Sequence, residues 1–168
     1  MNFENLSIDP ASLPDMDQAD FHLHPLRFRS KRILVAGIFL VLLSCIPVVL
    51  YLTVHPYAGG LGAVVWSLLA AFVLLMILKE FPKRAYALRQ RDITYRKGWI
   101  FHSITSVPFN RIQHTEINQG PLDRAFNLAS LSIYTAGGSA SDLAIPGLPY
   151  EEARRLREFI GKKSAEDA

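Results

Sequence analysis

An α+β membrane protein is the fold class this sequence predicts: a two-helix transmembrane hairpin over residues 33–78, then a small antiparallel β domain closed by a C-terminal helix. Three observations carry it. Residues 33–54 and 59–78 are uncharged apolar runs, each about the 20 residues a helix needs to cross a hydrocarbon core. Beyond Leu78 the pattern changes to short alternating segments punctuated by Gly and Pro, as expected of antiparallel strands. The last ordered segment carries the apolar stripe and charge order of a single amphipathic helix.

Residues 1–32 read as an acidic cytoplasmic tail ending in a basic membrane flank. Glu4, Asp9, Asp15, Asp17 and Asp20 give the first 26 residues a charge of −5 with no Lys or Arg, although the whole chain is +3. Pro10, Pro14 and Pro25 interrupt any period, so a loosely attached, flexible segment is expected. His22 and His24 fall in this tail. Arg27, Arg29, Lys31 and Arg32 then form the flank.

The hairpin follows. Only His55-Pro56-Tyr57-Ala58 separate the two runs, room for a tight turn and an antiparallel return. The first run starts too late, is too long and lacks an Ala-x-Ala site, which excludes a cleaved signal peptide. Basic residues flank the outer ends of both runs, while the turn carries none. Retention of Lys and Arg on the cytoplasmic side therefore predicts a two-span plasma-membrane protein with both termini in the cytoplasm. Pro47 is expected to kink the first helix. Ala63, Ser67 and Ala71 recur every four residues and place a small-residue face on the second, suited to close packing of another helix. Neither span holds an ionisable acid, base or His, so a proton or ion pathway through this chain alone is not expected. Cys45, the single cysteine, lies in the first span and forms no intrachain disulfide.

Past the hairpin, Lys79, Lys83, Arg84, Arg89, Arg91, Arg96 and Lys97 fall within 19 residues, against only Glu80 and Asp92. Such juxtamembrane cations are attracted to anionic headgroups, so these seven are the candidate membrane-surface contacts. Membrane tethering makes lipid, not nucleic acid, the nearer polyanion. Pro82 ends or kinks the second helix.

The soluble domain spans residues 79–168, with a core over 85–161 and a short polar tail. Tyr86 and Leu88, then Ile93 and Tyr95, alternate around Gln90-Arg91-Asp92 and predict a hairpin. Lys97-Gly98 marks a turn before Trp99-Ile100-Phe101. Residues 104–109 and 111–119 read as two more strands, the first placed at an edge or made irregular by Pro108. Gly120-Pro121 breaks the chain, 122–128 forms a short helical turn, and 131–135 and 143–145 are strands joined by the loop 137–142. Pro149, Glu151 and Glu152 open the terminal helix, Gly161 with Lys162 and Lys163 closes it, and Ala153, Leu156, Phe159 and Ile160 form its stripe. A helix with one apolar face needs a sheet to cover, so a small curved sheet or barrel capped by this helix is expected.

Catalytic and metal chemistry find little support. His114 and Glu116 share a strand face, and with His102 are the nearest approach to a metal set; a solvated sheet face is the plainer reading. No Cys/His zinc spacing occurs. Gly137-Gly138-Ser139-Ala140-Ser141 offers backbone amides but lacks the Lys-Ser/Thr ending of a phosphate loop, and neither serine has an evident base. Arg111 and Gln113 share a strand face beside Asn110. No enzyme, metal or cofactor is expected.

Several segments in order resemble the bacterial pleckstrin-homology-like (PH-like) domain of YdbS-type membrane proteins: Tyr86-Ala87-Leu88-Arg89, Asp92-Ile93-Thr94-Tyr95-Arg96-Lys97-Gly98, Val107-Pro108-Phe109-Asn110-Arg111-Ile112-Gln113-His114, Gln119-Gly120-Pro121-Leu122-Asp123-Arg124 and Ile133-Tyr134-Thr135-Ala136-Gly137-Gly138. The resemblance covers about residues 85–160, and the preceding hairpin suits that family's layout. It implies a bent antiparallel barrel closed at one end by the terminal helix, implies no enzymatic activity, and carries over no catalytic or binding residue. The function expected is a membrane-anchored PH-like interaction module, an adaptor or accessory subunit assembling with a membrane protein or with itself. The alternatives are recognition of anionic lipid headgroups, or a non-catalytic subunit of a lipid- or solute-handling enzyme or transporter.

Overall fold

The structure, a computed structural model, describes residues 20–136 and 142–166. A strand of two residues, β1 (His22–Leu23), comes first. The first long helix is broken into α1 (Leu26–Leu43) and α2 (Cys45–Thr53), and the second is α3 (Pro56–Glu80) with a 3₁₀ turn at Phe81–Lys83. Strands β2 (Ala85–Leu88), β3 (Asp92–Lys97) and β4 (Ser103–Pro108) follow, then a 3₁₀ turn at Phe109–Arg111 and β5 (Ile112–Asn118). The chain closes with α4 (Pro121–Ala125), β6 (Leu128–Thr135), β7 (Leu143–Pro149) and α5 (Tyr150–Glu166).

Both long helices are apolar and bare. Leu26–Thr53 and Pro56–Lys83 reach mean hydropathies of 3.0 and 2.7, with only 6% of each most apolar window buried by the rest of the chain. A core helix of a soluble protein would be covered; these expose Leu, Val, Ile and Phe all round, as lipid-facing helices do. The break at Ser44 follows from Pro47, which has no N–H for the Leu43 carbonyl and crowds it with its ring. The turn is tighter than four residues: Pro56 is already helical, and the His55 side chain caps the start by accepting from the Tyr57 N–H. At the far end the helix stops at Glu80, one turn before the span's basic end, as Pro82 demands.

The soluble part differs from the closed barrel that the family resemblance implies. Its strands form two antiparallel sheets, ordered β1-β2-β3-β4 and β5-β6-β7. Pro108 ends β4, an edge strand, and Pro146 lies in β7, which pairs on one side only, so neither missing N–H breaks a ladder between two neighbours. Tyr86, Ile93, Tyr95 and Val107 from one sheet, Leu131, Ile133, Ile145 and Leu148 from the other, and Ala153, Leu156 and Ile160 from α5 make one core. Phe109, fully buried, sits where the chain passes between sheets, and the partly exposed Phe159 packs edge-on against it with ring centroids 6.0 Å apart. The terminal helix does not stop at Gly161; it continues to Glu166, where Lys163 reaches Glu166 and Ser164 Oγ donates to the Ile112 carbonyl.

The segment before the first span is not loose where it is described. Residues 1–19, most of the acidic tail, lie outside the described residues, as does the loop 137–141. From Asp20 onward the chain is built into the fold. β1 pairs antiparallel with β2, His22 opposite Tyr86 and Leu23 opposite Ala85. The helix then begins at Leu26 rather than Ile33, so Arg27, Arg29, Lys31 and Arg32 ride on it. Backbone pairing overrides the side-chain pattern here: Leu23 faces outward, and His24 is 4% exposed.

Phe28, on the first turn of α1, seats this helix foot against β7. Gly147 makes the fit possible, because its φ of +75° is open only to glycine at little cost, and a Cβ there would stand 2.2 Å from the Phe28 ring. Gly147→Ala is therefore expected to destabilise the chain by about 2–4 kcal/mol through overpacking and backbone strain. In a Phe28→Ala background only the strain remains, so the added cost of Gly147→Ala should shrink. Unfolding midpoints of the two single variants and the double variant in one detergent check this; equal costs in both backgrounds would disprove the contact.

Candidate functional site: the membrane boundary

Where the helices leave the apolar span, the polar side chains converge. Glu80 is the centre: Arg32 Nη2 from α1 stands 2.7 Å from its Oε2, and Arg84 Nη2 stands 2.5 Å from its Oε1. Arg84 also donates to the Tyr95 hydroxyl at 3.2 Å. One carboxylate thus ties the foot of α1, the end of α3 and the first sheet, all half-buried. A second tie runs from Lys31 to Asp123, 2.5 Å apart, while the other Asp123 oxygen accepts from the Gly120 N–H and caps α4. Leaving either carboxylate unpaired in such surroundings costs more than an exposed surface pair ever contributes.

The seven expected membrane-surface cations divide into two groups. Lys79, Lys83, Arg91 and Lys97 are exposed. Arg84, Arg89 and Arg96 are half-buried and engaged: Arg84 as above, Arg89 with Asp92 at 2.9 Å and with the Thr94 hydroxyl, Arg96 stacked over the Phe21 ring at 4.0 Å. Between the hairpin's foot and α4 opens a cleft of about 740 Å³. Val35, Ala36, Phe72, Val73, Met76 and Ile77 make its apolar wall, with Lys31, Arg32 and the Gly120–Asp123 turn at its polar rim. Within the spans, Ala63, Ser67 and Ala71 point outward, and Ser67 returns its hydroxyl to the Ala63 carbonyl at 2.8 Å. Ala63 and Ser67 also line a groove of about 450 Å³ between α2 and α3.

The remaining candidates do not converge. His114 stacks on Tyr134 with centroids 4.2 Å apart, and Glu116 accepts from the Tyr134 hydroxyl at 3.0 Å; this contact raises the Tyr134 pKa. Among the described residues no three His, Cys, Asp or Glu gather as metal ligands. Arg111 and Gln113 are exposed. The loop 137–141 lies outside the described residues.

Sequence reading missed Glu80, which draws notice only as the lone acid among Lys79, Lys83 and Arg84. It also missed His24, enclosed by Phe28 and Tyr95 with ring centroids 5.2 and 5.8 Å away.

Residues 21–164 match the bacterial PH domain family. The chain belongs to that family. The match takes in the hairpin as well as the sheets, so the unit comprises β1, the two helices and everything folded behind them. The UPF0699 transmembrane protein YdbS of Bacillus subtilis (strain 168) is 33% identical over 139 residues, covering 80% of this chain and 84% of YdbS. The UPF0699 transmembrane protein YdbT of the same organism is 24% identical over 106 residues, and the match spans 22% of its length. A DUF1696 family protein with a pleckstrin-homology domain from Shewanella loihica PV-4 matches 48% of this chain and 70% of its own at 16% identity and a TM-score of 0.38. This bacterial PH domain is therefore a transmembrane protein whose named relatives carry no enzymatic designation.

Burial holds the His24 imidazole well below its ordinary range, down to about 4; the Gly147 backbone pulls the other way and the Arg84 charge adds to the lowering. A histidine free to charge near pH 6.5 when unfolded but not when folded contributes stability above that pH and loses it as pH falls toward 4. Unfolding of the full chain should therefore become easier by about 2–3 kcal/mol between pH 7 and pH 4. His24→Leu should flatten that slope; an unchanged slope would remove His24 as its source.

Proposed function

We propose that this chain is a membrane-anchored PH-like interaction module at the cytoplasmic face of the plasma membrane, serving as an adaptor or accessory subunit of a membrane protein complex. Its topology in this reading is two spans with both termini cytoplasmic. Pairing of β1 with β2 supports it, because the N-terminal segment and the sheets must then lie on one side of the bilayer. The charges agree: Arg27, Arg29, Lys31, Arg32, Lys79 and Lys83 sit at that end, and the His55 turn has no Lys or Arg.

The single observation that carries the adaptor role is the uncovered small-residue face. Ala63, Ser67 and Ala71 are all exposed, and Ala63 and Ser67 border the intramembrane groove between α2 and α3, so a second helix can approach closely there. Its partner is a membrane protein helix, or the same face of another copy. The ionic ties at the boundary then hold the soluble domain in fixed relation to that contact, and confinement beside the membrane raises the local concentration of whatever the domain meets. No catalytic step is assigned to any residue.

A second reading has its own observation. The 740 Å³ cleft joins an apolar wall at bilayer depth to a polar rim of Lys31, Arg32 and Asp123 at headgroup depth, a shape that suits a phospholipid whose headgroup competes for the paired Lys31 and Arg32.

Ala63→Ile and Ala71→Ile should each reduce crosslinked partner or self-complexes recovered from cells about tenfold, with the soluble domain still folded. Unchanged crosslinked species in both variants would end the adaptor reading at this face. Loss of copurifying anionic lipid in Lys31→Met, with crosslinks intact, would instead favour the cleft.

A further inference from the structure

Three large apolar residues stand exposed in a row at the tip of one hairpin. The β3–β4 connection runs from Lys97, paired with Ser103, through Gly98, Trp99, Ile100, Phe101 and His102. Trp99 is 41% exposed, Ile100 55% and Phe101 87%. Ile104 on β4 is exposed as well and borders the neighbouring depression. A consecutive apolar run at the tip of a solvated turn is not accounted for by packing, and its cost in water calls for an apolar neighbour. The loop is also held in shape. Gly98 has a φ of +99°, and any Cβ there would fall 1.8 Å from the Phe101 carbonyl oxygen, so the turn is tightly closed and presents the three side chains from a fixed base.

Its position decides what that neighbour is. Trp99, Ile100 and Phe101 share a depression of about 350 Å³ with Met76, Glu80 and Arg84. Met76 lies one helical turn inside Glu80 on α3, within the apolar span, so the loop reaches the level of the last lipid-facing turn. A smaller depression beside it holds Lys83, Arg96, Lys97 and His102. From Ile93 to Thr115 the sequence has no Asp or Glu; the hairpin's one acid, Asp92, lies at the end away from the loop and is paired with Arg89, so nothing near the tip repels an anionic surface. An apolar tip at acyl depth, an indole at the boundary and cations one layer above is the layering of the bilayer interface itself.

We propose that the β3–β4 loop inserts into the same leaflet that the helices cross and forms a third membrane contact, with Trp99, Ile100 and Phe101 in the headgroup–acyl boundary and Lys83 and Lys97 against anionic headgroups. The occupant of this surface is lipid, continuous with the lipid already around α3. The loop pins the β3–β4 side of the first sheet to the bilayer next to the foot of α3, so the soluble domain is held by the paired strands β1 and β2 and by this tip together. It rests on the transmembrane helices and not on the adaptor role, which stands or falls separately.

The test uses the full chain in vesicles of mixed neutral and anionic phospholipid. Trp66→Phe leaves Trp99 the only indole. Lipids brominated on the acyl chain should quench its emission strongly and aqueous acrylamide weakly, and adding Phe101→Asp should cut the lipid quenching about twofold or more without lowering the unfolding midpoint. Should Trp66→Phe unfold the chain, a spin label at Phe101→Cys in a Cys45→Ser background gives the same information, reading more contact with oxygen than with an aqueous nickel chelate. A Trp99 or a label open to the aqueous agent and silent to the lipid-phase one would overturn the proposal. So would shielding from both, which would assign the loop to a protein contact.

Discussion

The pairing of His22 and Leu23 with Tyr86 and Ala85 governs the whole arrangement. These two strands are neighbours in one sheet, and the 28-residue apolar segments Leu26–Thr53 and Pro56–Lys83 lie between them in the chain. The transmembrane hairpin is therefore an insertion between adjacent antiparallel strands. Such strands stand about 4.8 Å apart, so both feet of the hairpin are fixed side by side at one sheet edge. A soluble domain hung from one helix end could swing; one that grips both ends has little freedom to do so. Pairing also keeps the N-terminal segment and the sheets at the same end of the hairpin.

The side chains at the boundary secure what the backbone pairing sets. Phe28 fills the space that Gly147 leaves, an apolar contact between α1 and β7. Glu80 bridges two guanidiniums, Arg32 on α1 and Arg84 at the start of the first sheet, and Asp123 reaches from the short α4 to Lys31. The strength of these ties comes from partial burial, since the same pairs in open water would contribute little. Asp123 both caps its own short helix and anchors the hairpin's foot. Of the exposed cations, Lys79, Lys83 and Lys97 lie at the hairpin end of the first sheet, whereas Arg91 lies in the β2–β3 turn at its opposite end.

The hairpin and most strands were legible in the sequence because they follow from length, hydropathy and period, which are local properties. Pro47 announced the break at Ser44, and Pro108 announced an edge strand. The start of the fold was not legible. Phe21-His22-Leu23-His24 is short, carries two histidines, and lies in an acidic, proline-bearing stretch; only its partner more than 60 residues away makes it a strand. Leu23 outside and His24 inside invert the usual reading. The terminal helix ran past Gly161 because Ser164 finds the Ile112 carbonyl, a tertiary contact that outweighs glycine's low helix propensity. Two sheets in place of the closed barrel likewise reflect pairings between distant segments. As for the site, the cation cluster was visible, but which members are consumed by Glu80, Asp92 and Phe21 depends on the fold.

The central claim, that both feet of the hairpin are clamped to one sheet, is tested most directly by a distance across the boundary. Spin labels at Tyr57→Cys, on the hairpin tip, and Glu158→Cys, on exposed α5, in a Cys45→Ser chain report how the two parts sit relative to one another. A single narrow distance distribution is expected in the full chain, broadening when residues 1–23 are deleted and β1 is lost. A broad distribution in the full chain, or a narrow one indifferent to that deletion, would contradict the account.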